Sequence, residues 1–200
     1  MSFEQKGQYR WVVCALLFFA TTVNYIDRQI LALIKEFLDA ELGWSNATFG
    51  WVNGAFQLSY AVGLLFFGWF VDRYGTKIGY ATSIVLWSIA AMSHALVGSV
   101  NGFFAARVFL GVSEGGNFPA AIKAVALWFP KKERAFATSI FNAGTNVGAI
   151  IAPAMIPAIA LTFGWRWTFI LAGLAGFVWL FFWFPMYDVP EKRKNLTKAE

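Results

Sequence analysis

Charge is scarce in this 200-residue chain. Asp, Glu, Lys and Arg make up 14% of it, whereas a soluble domain carries about 25%. Hydrophobic residues make up 58% of the chain and aromatic residues 19%. A composition so low in charge excludes an ordinary soluble domain and indicates a membrane protein.

Cysteine and histidine are almost missing as well. Cys14, the one cysteine, cannot form an internal disulfide and matches no metal or redox spacing. His94, the one histidine, lies near the outer end of an apolar run, where we interpret it as a local hydrogen-bonding residue rather than a proton carrier. The sequence shows neither clustered metal ligands nor a nucleophile with a neighbouring base. It therefore predicts a protein that is not an enzyme and binds no metal or cofactor.

Long apolar runs fill most of the chain. A helix that spans a bilayer needs about 20 mostly apolar residues, and six stretches qualify: 11–34, 46–71, 78–98, 102–129, 135–161 and 166–187. The first run has no small-residue cleavage site after it, so it is a retained span rather than a secretory signal. The predicted fold class is an all-α membrane protein with six transmembrane helices.

These spans divide the chain into an N-terminal segment 1–10, a bundle 11–187 and a final segment 188–200, and we expect a loop over 35–45. Lys and Arg near helix ends stay in the cytoplasm, so both chain ends are predicted to be cytoplasmic. Because topology explains the net charge of +5, no nucleic acid is expected as a partner. The predicted outer side holds only Lys35 and Arg166, whereas the other holds Lys6, Arg10, Arg73, Lys77, Lys131, Lys132, Arg134, Lys192, Arg193, Lys194 and Lys198.

Four ionisable residues lie deep inside spans: Asp27 and Arg28 in the first, Arg107 and Glu114 in the fourth. Placing Asp or Arg at a helix centre costs about 2.5 to 3.5 kcal/mol on insertion scales, so these residues favour a functional site. A structural pair of Arg107 with Glu114 is the alternative. The two lie two turns apart, roughly 10 Å at 1.5 Å rise per residue, which is far for direct contact.

Neutral polar residues lie on the same helix faces as some of these charges, because helix positions three, four or seven apart share a face. We call each such row of polar residues a stripe. Such stripes occur on the first, second, fourth and fifth spans and predict one common cavity. Packing between helices, worth about 1 kcal/mol per residue, is the alternative for the neutral residues. The candidate substrate-binding residues are Asn24, Tyr25, Arg28, Gln57, Tyr60, Arg107, Asn117 and Asn142.

The two arginines suggest the charge of the substrate. Arg28 and Arg107 each lie about six residues from the outer end of a span, roughly 9 Å deep at 1.5 Å per residue. Guanidinium groups at one level can share a carboxylate, which Arg grips bidentately. Asp27 is about 100° away from Arg28 on the helix, so we expect it to face a neighbouring helix, such as the fourth span. The substrate is therefore predicted to be an anion.

The second connection, "GWFVDRYGTKIG" at residues 68–79, resembles the loop signature of the major facilitator superfamily. That resemblance implies a gating role for Asp72, Arg73 and Lys77, which would help hold the cytoplasmic side closed in one state.

Two further stretches resemble the anion:cation symporter branch of that superfamily: "NYIDR" from residue 24, and the stretch from "RVFLGVSEGGNFPAAIK" at Arg107 to "NVGAIIAP". The resemblance covers essentially the whole chain and is strongest to carriers of hexuronates and related sugar acids. It implies a secondary transporter that takes up an organic anion with a cation, commonly a proton. Arg28 and Arg107 would bind the substrate carboxylate, and Asp27 and Glu114 would couple protons.

The resemblance also implies an architecture. The superfamily has two six-helix bundles with the site between them, so this chain looks like the amino-terminal half and a second half is the expected partner, in a bacterial inner membrane. Three alternatives stay open: a phosphate carrier, a carrier of an amino-acid anion, and a non-transporting membrane receptor or scaffold.

Overall fold

The computed structural model describes residues 8–192. Among the basic residues predicted to be cytoplasmic, Lys6, Arg193, Lys194 and Lys198 lie outside this part. The described chain is mostly helical and has no strand. Two short 3₁₀ turns, His94–Leu96 and Pro190–Lys192, supplement the α-helices. These are α1 (Tyr9–Leu33), α2 (Lys35–Leu42), α3 (Asn46–Tyr74), α4 (Thr76–Ser93), α5 (Val100–Glu114), α6 (Asn117–Trp128), α7 (Arg134–Phe163) and α8 (Trp165–Met186).

The helices make six passes, as the apolar runs predict. Within residues 8–192, five helical segments are each long and apolar enough to cross a bilayer: α1, α3, α4 with its 3₁₀ turn, α7 and α8. The fourth pass consists of α5 followed by α6. Large apolar side chains cover the outside of the bundle, among them Leu65 (80% exposed) and Phe181 (79% exposed). The protein is therefore a multi-pass membrane protein.

The fourth pass is interrupted where the sequence predicts one uninterrupted span. Pro119 has no N–H to donate to the Gly115 carbonyl, and its ring crowds that carbonyl. The helix accordingly stops at Glu114 and resumes at Asn117. Gly115 and Gly116 keep right-handed dihedrals, with φ of −55° and −81°, so the chain continues in the same direction.

The segment expected to be a loop between the first two passes contains the short helix α2. Its Leu38 is fully buried, and Gly43 ends the helix with φ of +61°, a left-handed conformation that suits glycine. Ser45 then caps α3, as expected, by accepting a hydrogen bond from the Thr48 N–H at 3.1 Å. Leu38 and Trp44 are buried against the bundle, and the charged residues around them hid this from the sequence analysis.

Three helix pairs form the bundle: α1 with α7, α3 with α5, and α4 with α8. Glycines allow the first two to pack closely. A Cβ atom on Gly144 of α7 would lie 2.6 Å from the Phe18 carbonyl of α1, and one on Gly148 would lie 2.7 Å from the Thr22 carbonyl. A Cβ atom on Gly63 of α3 would lie 2.3 Å from the Val112 carbonyl of α5. Close packing fixes the depth at which α1, α3 and α5 present their polar residues.

The bundle has two chemically different ends. The end at which α1, α4 and α7 begin carries most of the basic residues of the connections, and we call it the basic end. Ion pairs there join Arg10 to Glu133 (3.1 Å) and Lys77 to Asp188 (3.1 Å). At the opposite end Arg166 pairs with Glu41 at 2.6 Å.

Candidate functional site

Four charged side chains meet inside the bundle, on α1 and α5. Asp27, Arg107 and Glu114 are at most 1% exposed, while the Arg28 side chain is 17% exposed. Asp27 lies within electrostatic range of both Glu114 and Arg107, so it faces the fourth pass, as expected from the helical angle. The charges that the sequence places on two separate spans thus form one cluster, the buried charge cluster.

Arg28 and Glu114 make the direct contact in this cluster. Arg28 Nε donates to Glu114 Oε2 at 2.7 Å and so joins α1 to α5. A direct pair of Arg107 with Glu114, the structural alternative, is not formed within the described residues. Glu114 also lies beside Asn24 of α1. Glu114 therefore has its closest partners on another helix rather than on its own.

Aromatic rings surround the Arg28 guanidinium. Its Cζ lies 4.2 Å from the Tyr60 ring centroid, 5.1 Å from that of Tyr25 and 5.5 Å from that of Phe56. Arg107 reaches the same Phe56 ring, with its Cζ 5.7 Å from the centroid. Distances below about 6 Å permit cation–π attraction. Rings from α1 and α3 therefore stabilise positive charge at this depth.

Several polar atoms of the buried charge cluster have no hydrogen-bond partner among residues 8–192. They are Nη2 of Arg28, both carboxylate oxygens of Asp27, Nε and Nη2 of Arg107, and Oε1 of Glu114. A buried polar group without a partner costs about 1 to 3 kcal/mol, and native proteins keep few of them. A cluster of such groups is typical of a functional site rather than of a packing contact.

The candidate substrate residues divide into two groups by exposure. Tyr25, Gln57, Tyr60 and Asn142 are partly or fully exposed, together with Arg28. Asn24, Arg107 and Asn117 are buried. The exposed group can contact a solute in the conformation described here, and the buried group can do so only after side chains or helices move.

Asn117 differs most from its expected position on the shared face. Its Oδ1 accepts a hydrogen bond from the buried Tyr80 hydroxyl at 2.5 Å, so the amide is turned towards α4. The physical reason is that a buried hydroxyl needs an acceptor, and Asn117 supplies one. A substrate role for Asn117 stays a prediction, and Nδ2 would be its donor, since this atom has no hydrogen-bond partner among residues 8–192.

His94 makes a local hydrogen-bonding contact, as its position in the sequence predicts. Its Nδ1 lies 2.7 Å from the Ala90 carbonyl, and its ring stacks on Phe169 with 4.7 Å between centroids and 14° between planes.

The residues of the loop signature lie at the basic end, where two of them form ion pairs. Asp72 pairs with Lys123 of α6 at 2.8 Å, and Lys77 pairs with Asp188 at 3.1 Å. Lys123 Nζ also donates to the Val71 carbonyl at 3.0 Å. Arg73 is exposed and makes no ion pair with another residue of 8–192. The signature residues thus connect α3, α4, α6 and the segment after α8.

Lys123 and Asp188 were missed by the sequence reasoning. Lys123 could have been noticed, because it is a single charge within the apolar stretch "AAIKAVALW". Asp188 carried no such signal, since a charge just past a span is ordinary.

The amino-acid sequence matches a family model and several known proteins. The sequence model described as Major Facilitator Superfamily matches residues 17–200. The hexuronate transporter of Escherichia coli (strain K12) is 36% identical over 96% of this chain and 44% of its own length. The galacturonate transporter of Dickeya chrysanthemi is 31% identical over 99% of this chain and 57% of its own length. The chain therefore spans about half the length of the curated relatives it matches.

Solved structures show the same fold. A bacterial homolog of the human lysosomal transporter Spinster, in an inward-facing and occupied conformation, has a TM-score of 0.81 and 23% identity, covering 91% of this chain and 45% of that one. The proton:xylose symporter XylE has a TM-score of 0.81 and 16% identity over 91% of this chain. At such identities the likeness extends to the fold alone. The two sequence relatives named above are transporters, in agreement with the prediction that this chain is not an enzyme.

Proposed function

The chain belongs to the Major Facilitator Superfamily, and on that premise we propose that it is one six-helix half of a secondary transporter. The transporter would carry a hexuronate or a related sugar acid in symport with protons. The observation that carries this proposal is the buried charge cluster, in which Arg28 binds Glu114 at 2.7 Å beside Asp27 and Arg107. Similarity to transporters of hexuronate and galacturonate supports the choice of substrate.

Competition for one guanidinium would couple the proton to the anion. When Glu114 is ionised, it occupies Arg28. Protonation of Glu114 removes the negative charge that holds Arg28, and the fork of Arg28 can then grip a substrate carboxylate bidentately. Release of the proton on the other side of the membrane restores the ion pair and expels the anion.

Neutral polar residues beside this cluster would bind the rest of the sugar acid. Tyr25, Gln57, Tyr60 and Asn142 are accessible and offer hydroxyl and amide groups, which match the donors and acceptors of sugar hydroxyls. Sites that pair a substrate hydroxyl reject analogues lacking it, since their polar groups would stay unpaired. These four residues would therefore set the preference for a sugar acid over a plain carboxylate.

Arg107 would join the substrate only in another conformation. It is 1% exposed here, whereas its proposed partner is a carboxylate that arrives from water. Its neighbour Asp27 is equally buried, and protonation of Asp27 would leave Arg107 without a nearby negative charge from α1. Arg107 would then favour a conformation in which it reaches the anion.

Alternating access would use the ion pairs of the basic end as its gate. The pair of Asp72 with Lys123 joins α3 to α6, and the pair of Lys77 with Asp188 joins α4 to the segment after α8. A ligand shifts such a gate only by binding one state more tightly than the other. We propose that the basic end faces the cytoplasm of a bacterial inner membrane and that a second six-helix half completes the site.

Uptake competition tests the substrate class. The complete transporter that contains this chain is reconstituted in proteoliposomes with labelled glucuronate outside. Excess galacturonate should reduce uptake, and excess phosphate or glutamate should not. Inhibition by phosphate or glutamate instead would indicate one of the other anion carriers. Saturable binding of glucuronate without uptake would indicate a receptor.

A further inference from the structure

Phe56 on α3 is in contact with both guanidinium groups that the proposed function assigns to the substrate. Its ring centroid lies 5.5 Å from the Cζ of Arg28 and 5.7 Å from the Cζ of Arg107. Tyr25 and Tyr60, the other rings around Arg28, do not come within cation–π range of Arg107 in the described structure. Phe56 therefore links a cation on α1 to a cation on α5.

We propose that Phe56 is a positioning residue for substrate binding. Its π surface keeps both guanidinium groups beside one ring, so that one carboxylate can meet both once Arg107 becomes accessible. The proposal rests on the proposed function for the identity of the ligand, but the placement of the two guanidinium groups can be tested without it.

The two guanidinium groups have more N–H donors than the surrounding side chains and carbonyls accept. Nη2 of Arg28 and Nε and Nη2 of Arg107 have no hydrogen-bond partner among residues 8–192, although all three atoms are buried. Like charges also repel each other more strongly in a protein interior than in water. The negative face of an aromatic ring attracts a cation without offering a hydrogen bond. Phe56 can therefore stabilise both guanidinium groups and still leave their N–H groups available to an anion.

The ring is itself held firmly. Phe56 is 4% exposed and stacks on Tyr60, with 6.1 Å between centroids and 13° between planes. Its carbonyl accepts a hydrogen bond from Ser59 Oγ at 2.9 Å. That carbonyl also lies against α5, because a Cβ atom on Gly111 would be 2.5 Å from it. The backbone of Phe56 is thus held against the helix that carries Arg107, and its ring against Tyr60. Movement of Arg28 away from Arg107 would therefore break a contact with the ring.

A graded series of phenylalanine analogues separates the electrostatic role from packing. Fluorination at the 4-, 3,5- and 3,4,5-positions withdraws π density in steps and changes the ring shape little. With these residues at position 56 of the complete transporter, the KM for glucuronate should rise stepwise, to about tenfold for trifluorophenylalanine, given the usual strength of cation–π pairs. The kcat should change less than twofold. A KM that does not follow the degree of fluorination would overturn the proposal.

Phe67 provides the matched control. It lies on the same helix and is 1% exposed, but its ring has no guanidinium within cation–π range in the described structure. The same analogues at position 67 should leave the KM unchanged. An equal rise at both positions would assign the effect to packing and contradict the positioning role.

A second measurement needs no substrate. In the complete transporter with ¹⁵N-labelled arginine, the Nε resonances of Arg28 and Arg107 are assigned through Arg28→Lys and Arg107→Lys. Phe56→Leu should shift both resonances through loss of the ring current, and Phe67→Leu should shift neither. If both shift but glucuronate is not transported, the proposed function fails and the placement stands. If neither shifts, the proposal about Phe56 is wrong whatever the substrate.

Discussion

Glu114 and Arg28 form an ion pair across two transmembrane helices, with 2.7 Å between Oε2 and Nε. Glu114 is fully buried, and Arg28 is 17% exposed by its side chain, so the pair reaches from the bundle interior to its accessible face. The other ion pairs of residues 8–192 lie at the two ends of the bundle. In the proposed mechanism, a proton on the buried carboxyl group would change what the accessible guanidinium binds.

Glu114→Gln should separate transport from proton coupling. The amide keeps the size of the carboxyl group but cannot take up or release the proton, so Arg28 stays available to the substrate. Glucuronate exchange between proteoliposomes and medium should continue, while accumulation driven by a proton gradient should be lost. Glu36→Gln, at the opposite end and without an ion pair to another described residue, is the control and should retain both. Gradient-driven accumulation that survives in Glu114→Gln would reject the coupling role.

Arg107→Lys should weaken glucuronate binding roughly 10- to 100-fold, because a lysine keeps the charge but loses the bidentate geometry, and one charge-assisted hydrogen bond is worth about 1.5 to 3 kcal/mol. Arg107→Ala should abolish binding. Isothermal calorimetry on the complete transporter measures both. Arg166→Lys, at the opposite end, should bind as the wild type does. Undiminished affinity in Arg107→Ala would remove Arg107 from the site.

Asp72→Asn should loosen the gate at the basic end. The substitution removes the charge that pairs with Lys123, so the conformation open at this end should become more populated. Labelling of a cysteine placed at Asn142 by an impermeant thiol reagent, applied to the basic end, should become faster. The double variant Asp72→Lys with Lys123→Asp should restore the slower rate. If Asp72→Asn leaves the rate unchanged, this ion pair does not hold the gate.

Gly63→Ala should destabilise the bundle. The new Cβ atom would lie 2.3 Å from the Val112 carbonyl, and overpacking of this kind costs about 1 to 3 kcal/mol. Gly54 lies on the same helix with open space around it, so Gly54→Ala should leave thermal stability unchanged or slightly raised. Thermal unfolding in detergent compares the two. Equal stability of both variants would contradict the close approach of α3 to α5.

Much of this arrangement could be predicted from the sequence, and the features that were not predicted have physical causes. The lengths of the apolar runs predicted all six passes. The cost of burying charge identified Asp27, Arg28, Arg107 and Glu114 as a group. Periodicity assumes an unbroken helix, so it missed the interruption before Asn117. Periodicity also says nothing about a partner on another helix, so it could not predict that Lys123 pairs with Asp72.

The contacts of Phe56 could not be predicted from the sequence either. A phenylalanine in a transmembrane helix resembles any other lipid-facing or core residue, and only the packing of α1, α3 and α5 brings two guanidinium groups to its ring.

Glu41→Gln should lower stability in a pH-dependent way. Hydrogen bonds from Arg166 and then from Trp165 lower the pKa of Glu41, so its contribution is present above the unfolded pKa, about 4.3, and is lost as the pH falls through the folded value. The difference in Tm between wild type and Glu41→Gln should be constant from about pH 7 to 5.5 and shrink below about pH 4. Because Glu41 is exposed, the difference should be small.

Glu36→Gln is the control for this prediction, since Glu36 lies on the same helix and makes no ion pair with another described residue. Its Tm should follow that of the wild type at every pH. A difference for Glu41→Gln that grows with acidity would contradict the ion pair with Arg166.

If the buried charges serve proton-coupled transport of an anion, a proton gradient should drive accumulation of labelled glucuronate. The complete transporter is placed in proteoliposomes, and an inward proton gradient is imposed. Glucuronate should then rise inside above its outside concentration and fall back when a protonophore is added. Internal glucuronate that never exceeds the outside concentration, or accumulation that a protonophore leaves intact, would contradict the account.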